Sequence, residues 1–178
     1  MRWLIACVLT IVSSLANAAD RPLYAELQYE AAGVNHSDLE FYPQFGSASA
    51  GVFLRKGIGV EVFADIGLGS DKKSGFDLKV DHAVGIAVRL ESPPVRRVRG
   101  FIVLGAVNYS ITQKAAATDT QNGSSLDGSF TGMRVSVGIA ERLKWWENVL
   151  LSAEYRHYNA GESLRVEALL LGLRVNTL

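Results

Sequence analysis

Ten charged side chains carry the densest chemistry in the sequence. Glu26, Glu30, Glu61, Asp65 and Glu154 occupy the same alternate positions of their segments as Arg89, Arg134, Arg142, Arg156 and Arg174. That spacing gathers five acids and five bases on one side of a sheet. On the inner wall of a narrow barrel they must pair, because an unpaired buried charge costs on the order of 3–5 kcal/mol. Such a lumen charge network has two readings. One is a gated or narrow conductance path; the other, the expected one, is a structural plug of salt bridges with no transport role. Arg174, Arg142 and Arg89 are the expected partners of Glu154.

The remaining reactive residues are sparse. His157 shares the opposite face with Glu167, a base and an acid without a nucleophile beside them. His82 lies on an apolar face and His36 in a polar connection. Neither has metal-ligand spacing to a second ligand, so no metal site is expected. No glycine-rich loop follows a strand and opens a helix, so the frequent glycines read as turn or barrel residues, and no cofactor is expected. No residue is expected to be catalytic.

The elements that must position these groups are strands. Ile58–Leu68 sets Ile58, Val60, Val62, Ala64 and Ile66 against Gly59, Glu61, Phe63 and Asp65. Val80–Leu90, Met133–Ala140, Val149–Arg156 and Ala168–Val175 alternate in the same way. Three weaker segments complete eight strands: Leu23–Ala31, Phe45–Arg55 with Ala48, Ala50, Val52 and Leu54 on one face, and Phe101–Ile111 with Phe101, Val103, Val107, Tyr109 and Ile111 on one face. No apolar run after the first residues approaches the length of a membrane-spanning helix. Connections alternate between short turns (Lys56-Gly57, Ser92–Arg99, Trp146–Asn148) and longer polar segments (32–44, 69–75, 113–131). The segment after Asn159 is the exception, and a three-residue loop, 160–162, is expected there. It pairs Asn159 with Ser163 and Tyr155 with Glu167, leaving His157 and Glu167 diagonal.

Alternation alone does not say which face is inside. A soluble barrel with an apolar cavity is the inverted alternative. The polar face is rich in small residues (Gly59, Gly67, Gly85, Ala87, Ser136, Gly138, Ala140, Gly172), which suits a narrow eight-stranded interior better than a solvated surface. Tyr24, Phe76, Phe101, Tyr109, Trp145, Trp146, Tyr155 and Tyr158 lie near strand ends, as interfacial aromatic girdles do. The expected fold is therefore an all-β, eight-stranded antiparallel up-and-down transmembrane β-barrel, with both termini in the periplasm.

Composition agrees with that reading. Lys plus Arg and Asp plus Glu stand at 18 each in 178 residues, which speaks against a nucleic-acid surface. The N-terminus reads as an export signal: Arg2, a short apolar run over Trp3–Val12, and Ala16-Asn17-Ala18 with small residues at the two positions that precede cleavage. Residues 1–18 are expected to be removed, leaving 19–178 as the outer-membrane barrel. Leu4-Ile5-Ala6-Cys7 matches a lipoprotein box, but too few residues precede it for that route. Cys7 is the only cysteine, so the mature chain has no disulfide.

Two stretches carry a family resemblance. Leu150–Tyr158 resembles the penultimate strand, and Leu171–Val175 the closing strand, of the opacity-type outer-membrane β-barrel family, the small surface-antigen barrels of Gram-negative bacteria. That family usually ends on Phe, whereas this chain ends Asn176-Thr177-Leu178. The resemblance implies a non-enzymatic surface barrel, a monomer, with a structural, envelope-integrity or adhesion role. Its partners would be outer-membrane lipid and lipopolysaccharide, with host or extracellular ligands at the long loops. His157–Gly161 separately resembles the histidine stretch of the lipid A deacylase barrels, but Asn159 stands where they carry the nucleophilic serine.

Overall fold

A computed structural model describes residues 22–177, except 37–38, 70, 74–75, 116–124 and 160–164. The expected export signal lies outside the described residues. Ten strand segments follow in order: β1 (Leu23–His36), β2 (Leu39–Phe41), β3 (Gln44–Arg55), β4 (Ile58–Gly67), β5 (Asp71–Lys73), β6 (Phe76–Glu91), β7 (Val98–Ala115), β8 (Ser125–Arg142), β9 (Val149–Asn159) and β10 (Arg165–Asn176). β2 and β3 form one stave interrupted at Tyr42-Pro43, where proline cannot donate to the ladder. β4 and β5 form another. Each stave pairs antiparallel with its neighbour, and β10 pairs with β1 from Tyr24↔Asn176 to Asn35↔Arg165. The result is a closed eight-stranded barrel without a free edge, the form in which strands can cross a membrane.

The register sets the barrel's width. From Tyr24 the ladder runs through Gly51, Glu61, Ala87, Gly105, Arg134, Tyr158 and Val166 and returns to β1 at Val34, ten residues further on. Eight strands with a shear of ten tilt by about 40°. So narrow a barrel must fill its interior with side chains.

The faces sort as alternation requires. Leu27, Ile86 and Leu171 point outward and are 65–68% exposed, while Glu26, Arg89 and Arg174 point inward and are at most 2% exposed. An apolar exterior around a charged interior excludes the soluble alternative. Among the described residues no helix is long and apolar enough to cross a membrane.

Three expectations change. The Phe101, Val103, Val107 and Tyr109 face is the lumen face, although it is the more apolar one, and Ile102 and Leu104 face out. Tyr24, Phe101, Tyr109 and Tyr158 are therefore interior residues and not girdle residues; Trp145, Trp146 and Tyr155 are the exposed ones. Large rings fill volume in a lumen that small residues alone would leave open. The segments expected as long loops are largely strand: β1 continues to His36, and β7 and β8 extend to Ala115 and back from Ser125. In β7 and β8 the extensions are polar at neighbouring positions alike (Thr112, Gln113, Lys114; Asp127, Ser129), so no alternation distinguished them from loop. The Phe76 side chain lies outside the described residues.

At the opposite rim the turns are short. Gly57 takes φ +76° between β3 and β4. Between β6 and β7, Val95 and Val98 exchange backbone hydrogen bonds of 2.9 and 3.2 Å around Arg96-Arg97. Arg96, the first of the two, takes φ +60°. That position ordinarily takes glycine, and a side chain there costs roughly 1–2 kcal/mol.

Candidate functional site

Inward positions on seven strands build one continuous ionic network. At the turn rim Glu91 accepts from three arginines: Arg89 Nε at 2.8 Å, Arg99 Nη1 at 3.2 Å, and both terminal nitrogens of Arg174. Arg89 reaches further in, donating to Glu26 at 3.1 Å and Glu61 at 3.4 Å. The Tyr24 hydroxyl donates to Glu61 at 2.6 Å, and the Ser152 hydroxyl to Glu26. Arg134 links Glu61, at 3.3 Å, to Glu154, at 3.0 Å. Arg156 then donates to Glu154 at 2.8 Å, Glu30 at 3.2 Å, Asp65 at 3.3 Å and the Gln28 amide oxygen at 2.8 Å. The Tyr158 hydroxyl, itself accepting from Arg156, donates to Asp65 at 2.8 Å.

Rings cover the flat faces of the guanidiniums. Arg89 lies 3.9 Å from the Phe101 centroid, Arg134 4.3 Å from that of Phe63, and Arg174 4.7 Å from that of Tyr24. Each of these three rings has a glycine as its register partner on the next strand: Gly138 for Phe101, Gly85 for Phe63 and Gly51 for Tyr24. A Cβ on any of the three would stand 2.3–2.5 Å from its ring partner. The glycines are thus the floor on which the rings lie down beneath the arginines. Ring-over-glycine pairing also protects strand backbone that glycine leaves bare.

Nine of the ten residues read from the sequence meet inside, and Arg142 does not. It is exposed at the end of β8, where the strand has already left the packed lumen. The partners of Glu154 are Arg134 and Arg156, in place of Arg174, Arg142 or Arg89. Strand tilt carries side chains diagonally, and Arg134 lies four residues along β8 from Gly138, the register partner of Glu154. Sequence reasoning missed Glu91, because the strand was ended at Leu90; continuing the odd parity past Arg89 would have found it. It also missed Gln28, Ser47 and Ser152, neutral groups with the right parity, and the ring-covering roles of Tyr24, Phe63 and Phe101. The described interior then holds six carboxylates (Glu26, Glu30, Glu61, Asp65, Glu91, Glu154) against Arg89, Arg99, Arg134, Arg156 and Arg174.

On the outer face His157 stands directly opposite Glu167, not diagonal to it, with Nδ1 3.6 Å from Oε1. Asn159 pairs with Arg165, so five residues, 160–164, connect the strands. Parity fixes a hairpin's loop only to odd or even, and three and five satisfy it equally. Among the described residues no cluster of three metal-ligating side chains occurs.

A closed antiparallel barrel, apolar outside and packed with charge inside, defines a transmembrane β-barrel protein of the bacterial outer membrane. The chain belongs to the outer membrane protein beta-barrel domain family, whose match covers residues 4–176. This bears out the resemblance of the last two strands to small outer-membrane barrels. Among solved structures it is similar to neisserial surface protein A, with 20% identity and a TM-score of 0.67 over 86% of this chain and 96% of the other. It is also similar to Ail, the attachment invasion locus protein of Yersinia pestis, with 14% identity and a TM-score of 0.64 over 88% and 99%. The N-terminal barrel of Pseudomonas aeruginosa OprF matches with 16% identity and a TM-score of 0.57 over 85% and 97%. These likenesses are likenesses of fold. Comparison with curated protein sequences finds no match.

Proposed function

We propose that the chain is a non-enzymatic, non-conducting outer-membrane barrel. Its work is structural, with interaction through the hairpins that it holds above the membrane. The short-turn rim and both termini face the periplasm, and residues 1–18 are removed on export. One observation carries this reading: the ionic network runs unbroken from Glu91 to Asp65 across the lumen. Each of its central guanidiniums is held by two or more carboxylates, and breaking such pairs one side at a time is costly. A plug of this kind stiffens the wall and, among the described residues, ties the lumen charges to one another across the path that a solute would take.

Ail is described in complex with a heparin analogue. Segments 37–38, 116–124 and 160–164 contain Asp38, Asp119 and Glu162, while the β5–β6 hairpin carries Lys72 and Lys73 beside residues 74–75, so the connections present both signs.

Planar-bilayer recording of the purified folded protein tests the plug. The expected result is an unchanged baseline; unitary steps from the wild type would overturn the plug in favour of a narrow channel. Incubation with lipopolysaccharide tests the non-enzymatic part, with no fatty acid released as the expected result. Release dependent on His157 would overturn it.

A further inference from the structure

The outer wall of the barrel is dented. Across β3, β4, β6 and β7 the small side chains of Ala50 and Ala106 sit among Val52, Val62, Ile86 and Leu104, leaving a depression of about 640 Å³ with an almost wholly apolar surface. Its lower end lies near the turn rim: Val52 and Val60 are each three residues from the Arg55–Gly57 turn. Directly below it the rim is basic. Arg55, Lys56, Arg96, Arg97 and Arg142 are all exposed. Backbone hydrogen bonds hold their segments side by side, Glu91 N to Gly57 O at 2.7 Å and Arg142 N to Arg97 O at 3.0 Å. Among the described residues the exposed acids of this rim are Glu141, which pairs with Val98 at the β7–β8 edge of the basic cluster, and Glu147 in the β8–β9 turn. Trp145 and Trp146 beside them are 85% and 64% exposed, as rings at a lipid headgroup boundary are.

From this juxtaposition we infer that the dent and the basic turns form one site for an anionic phospholipid of the periplasmic leaflet. An acyl chain lies along the Ala50–Ala106 dent, and the phosphate is held by the Arg96-Arg97 turn with Arg55 or Lys56. Charge complementarity selects this occupant: a second copy of the barrel would bring its own basic rim against this one, and a zwitterionic lipid would leave the arginines unneutralised. The turn itself points the same way. Arg96 occupies a left-handed position that glycine would fill without strain, and it sets a guanidinium at the tip of a two-residue turn. Backbone strain retained at a surface turn is a mark of a functional constraint. Guanidinium matches phosphate with paired donors. The inference rests on the turn rim facing the periplasm.

Native mass spectrometry of the folded barrel in detergent, with phosphatidylglycerol or phosphatidylcholine added, tests it. The wild type is expected to retain phosphatidylglycerol over phosphatidylcholine by on the order of ten-fold. An R96G/R97Q variant should lose that preference while remaining folded by heat-modifiable gel mobility, since Arg96→Gly relieves the left-handed residue. An A50F/A106F variant, with the dent filled, should lose retention of both lipids. Equal retention of the two lipids by the wild type, or phosphatidylglycerol held undiminished by R96G/R97Q, would overturn the inference. So would stronger retention of soluble acidic cell-wall fragments than of phosphatidylglycerol. The assay is independent of orientation, so it can fail while the periplasmic placement of the turn rim stands.

Discussion

Glu154 is the residue on which the lumen turns, because it joins Arg134 on β8 to Arg156 on its own strand and also accepts from Gln28 at 3.0 Å. Glu154→Ala strands two guanidinium nitrogens in a buried site, at a cost of up to about 3–5 kcal/mol. Arg134 and Arg156 keep Glu61, Glu30 and Asp65, so the loss should fall toward the lower end. A second change, Arg134→Met, should recover part of it, because the guanidinium nitrogen left without Glu154 is then removed while Glu61 keeps Arg89 and the Tyr24 hydroxyl. Urea unfolding midpoints of the folded protein in lipid measure both. An unchanged midpoint for Glu154→Ala would mean that solvent, not Glu154, satisfies these arginines. At this scale parity made most of the network legible: Glu26, Glu30, Glu61, Asp65, Arg89, Arg134, Arg156 and Arg174 each stand where alternation puts them. Partnership was not legible. It depends on a tilt set by the shear of the closed barrel, which no single strand encodes. Arg142 has the right parity but lies too far along β8, and Glu91 was lost for want of one more residue of strand.

Between neighbouring strands the ring-over-glycine pairs decide how the arginines are covered. Phe101 lies on Gly138 and under Arg89, so Gly138→Ala puts a methyl group where the ring is and should displace it. A loss of about 1–3 kcal/mol is expected, in the range of overpacked cores. If the ring is the cause, Phe101→Leu should relieve most of the loss in the double variant, and unchanged stability of the single variant would show that the ring has room to move. The two faces of β8 offer a second contrast. Val137 points to lipid, as does Leu171 on β10, and Arg at either position should cost about 2–4 kcal/mol. Ser136→Ala, one residue away and inside, removes one hydrogen bond from Arg134 Nε and should cost about 1 kcal/mol. Equal losses at the three positions in a urea titration would mean that the faces are misassigned. Strands with one apolar and one polar face were readable from sequence. β7 was harder to read, because Phe101, Val103, Val107 and Tyr109 make its inner face the greasier one. Ring-filling of the lumen, not polarity, sets its orientation.

The strands are longer than the membrane they cross. β7 and β8 have 18 residues each. At about 3.3 Å per residue and about 40° of tilt they rise roughly 45 Å, against an apolar band of about 25 Å. Since the turn rim closes within a few residues of the apolar wall, nearly all of the excess lies at the other end. The β7–β8 hairpin should therefore stand about 20 Å clear of the membrane, still paired, and carry residues 116–124 at its tip. A protease recognition site inserted between Thr120 and Gln121 should be cut when the protease is added to intact cells. The two fragments should remain together, with the gel mobility of the folded barrel, until boiled, because the β7–β8 ladder and the β10–β1 closure join them on either side of the cut. Cleavage only after the periplasm is opened would place the turn rim outside and reverse the proposed orientation. Fragments that separate without boiling would mean that the hairpin tip, and not the closed ladder with its ionic filling, holds the two halves of the barrel together.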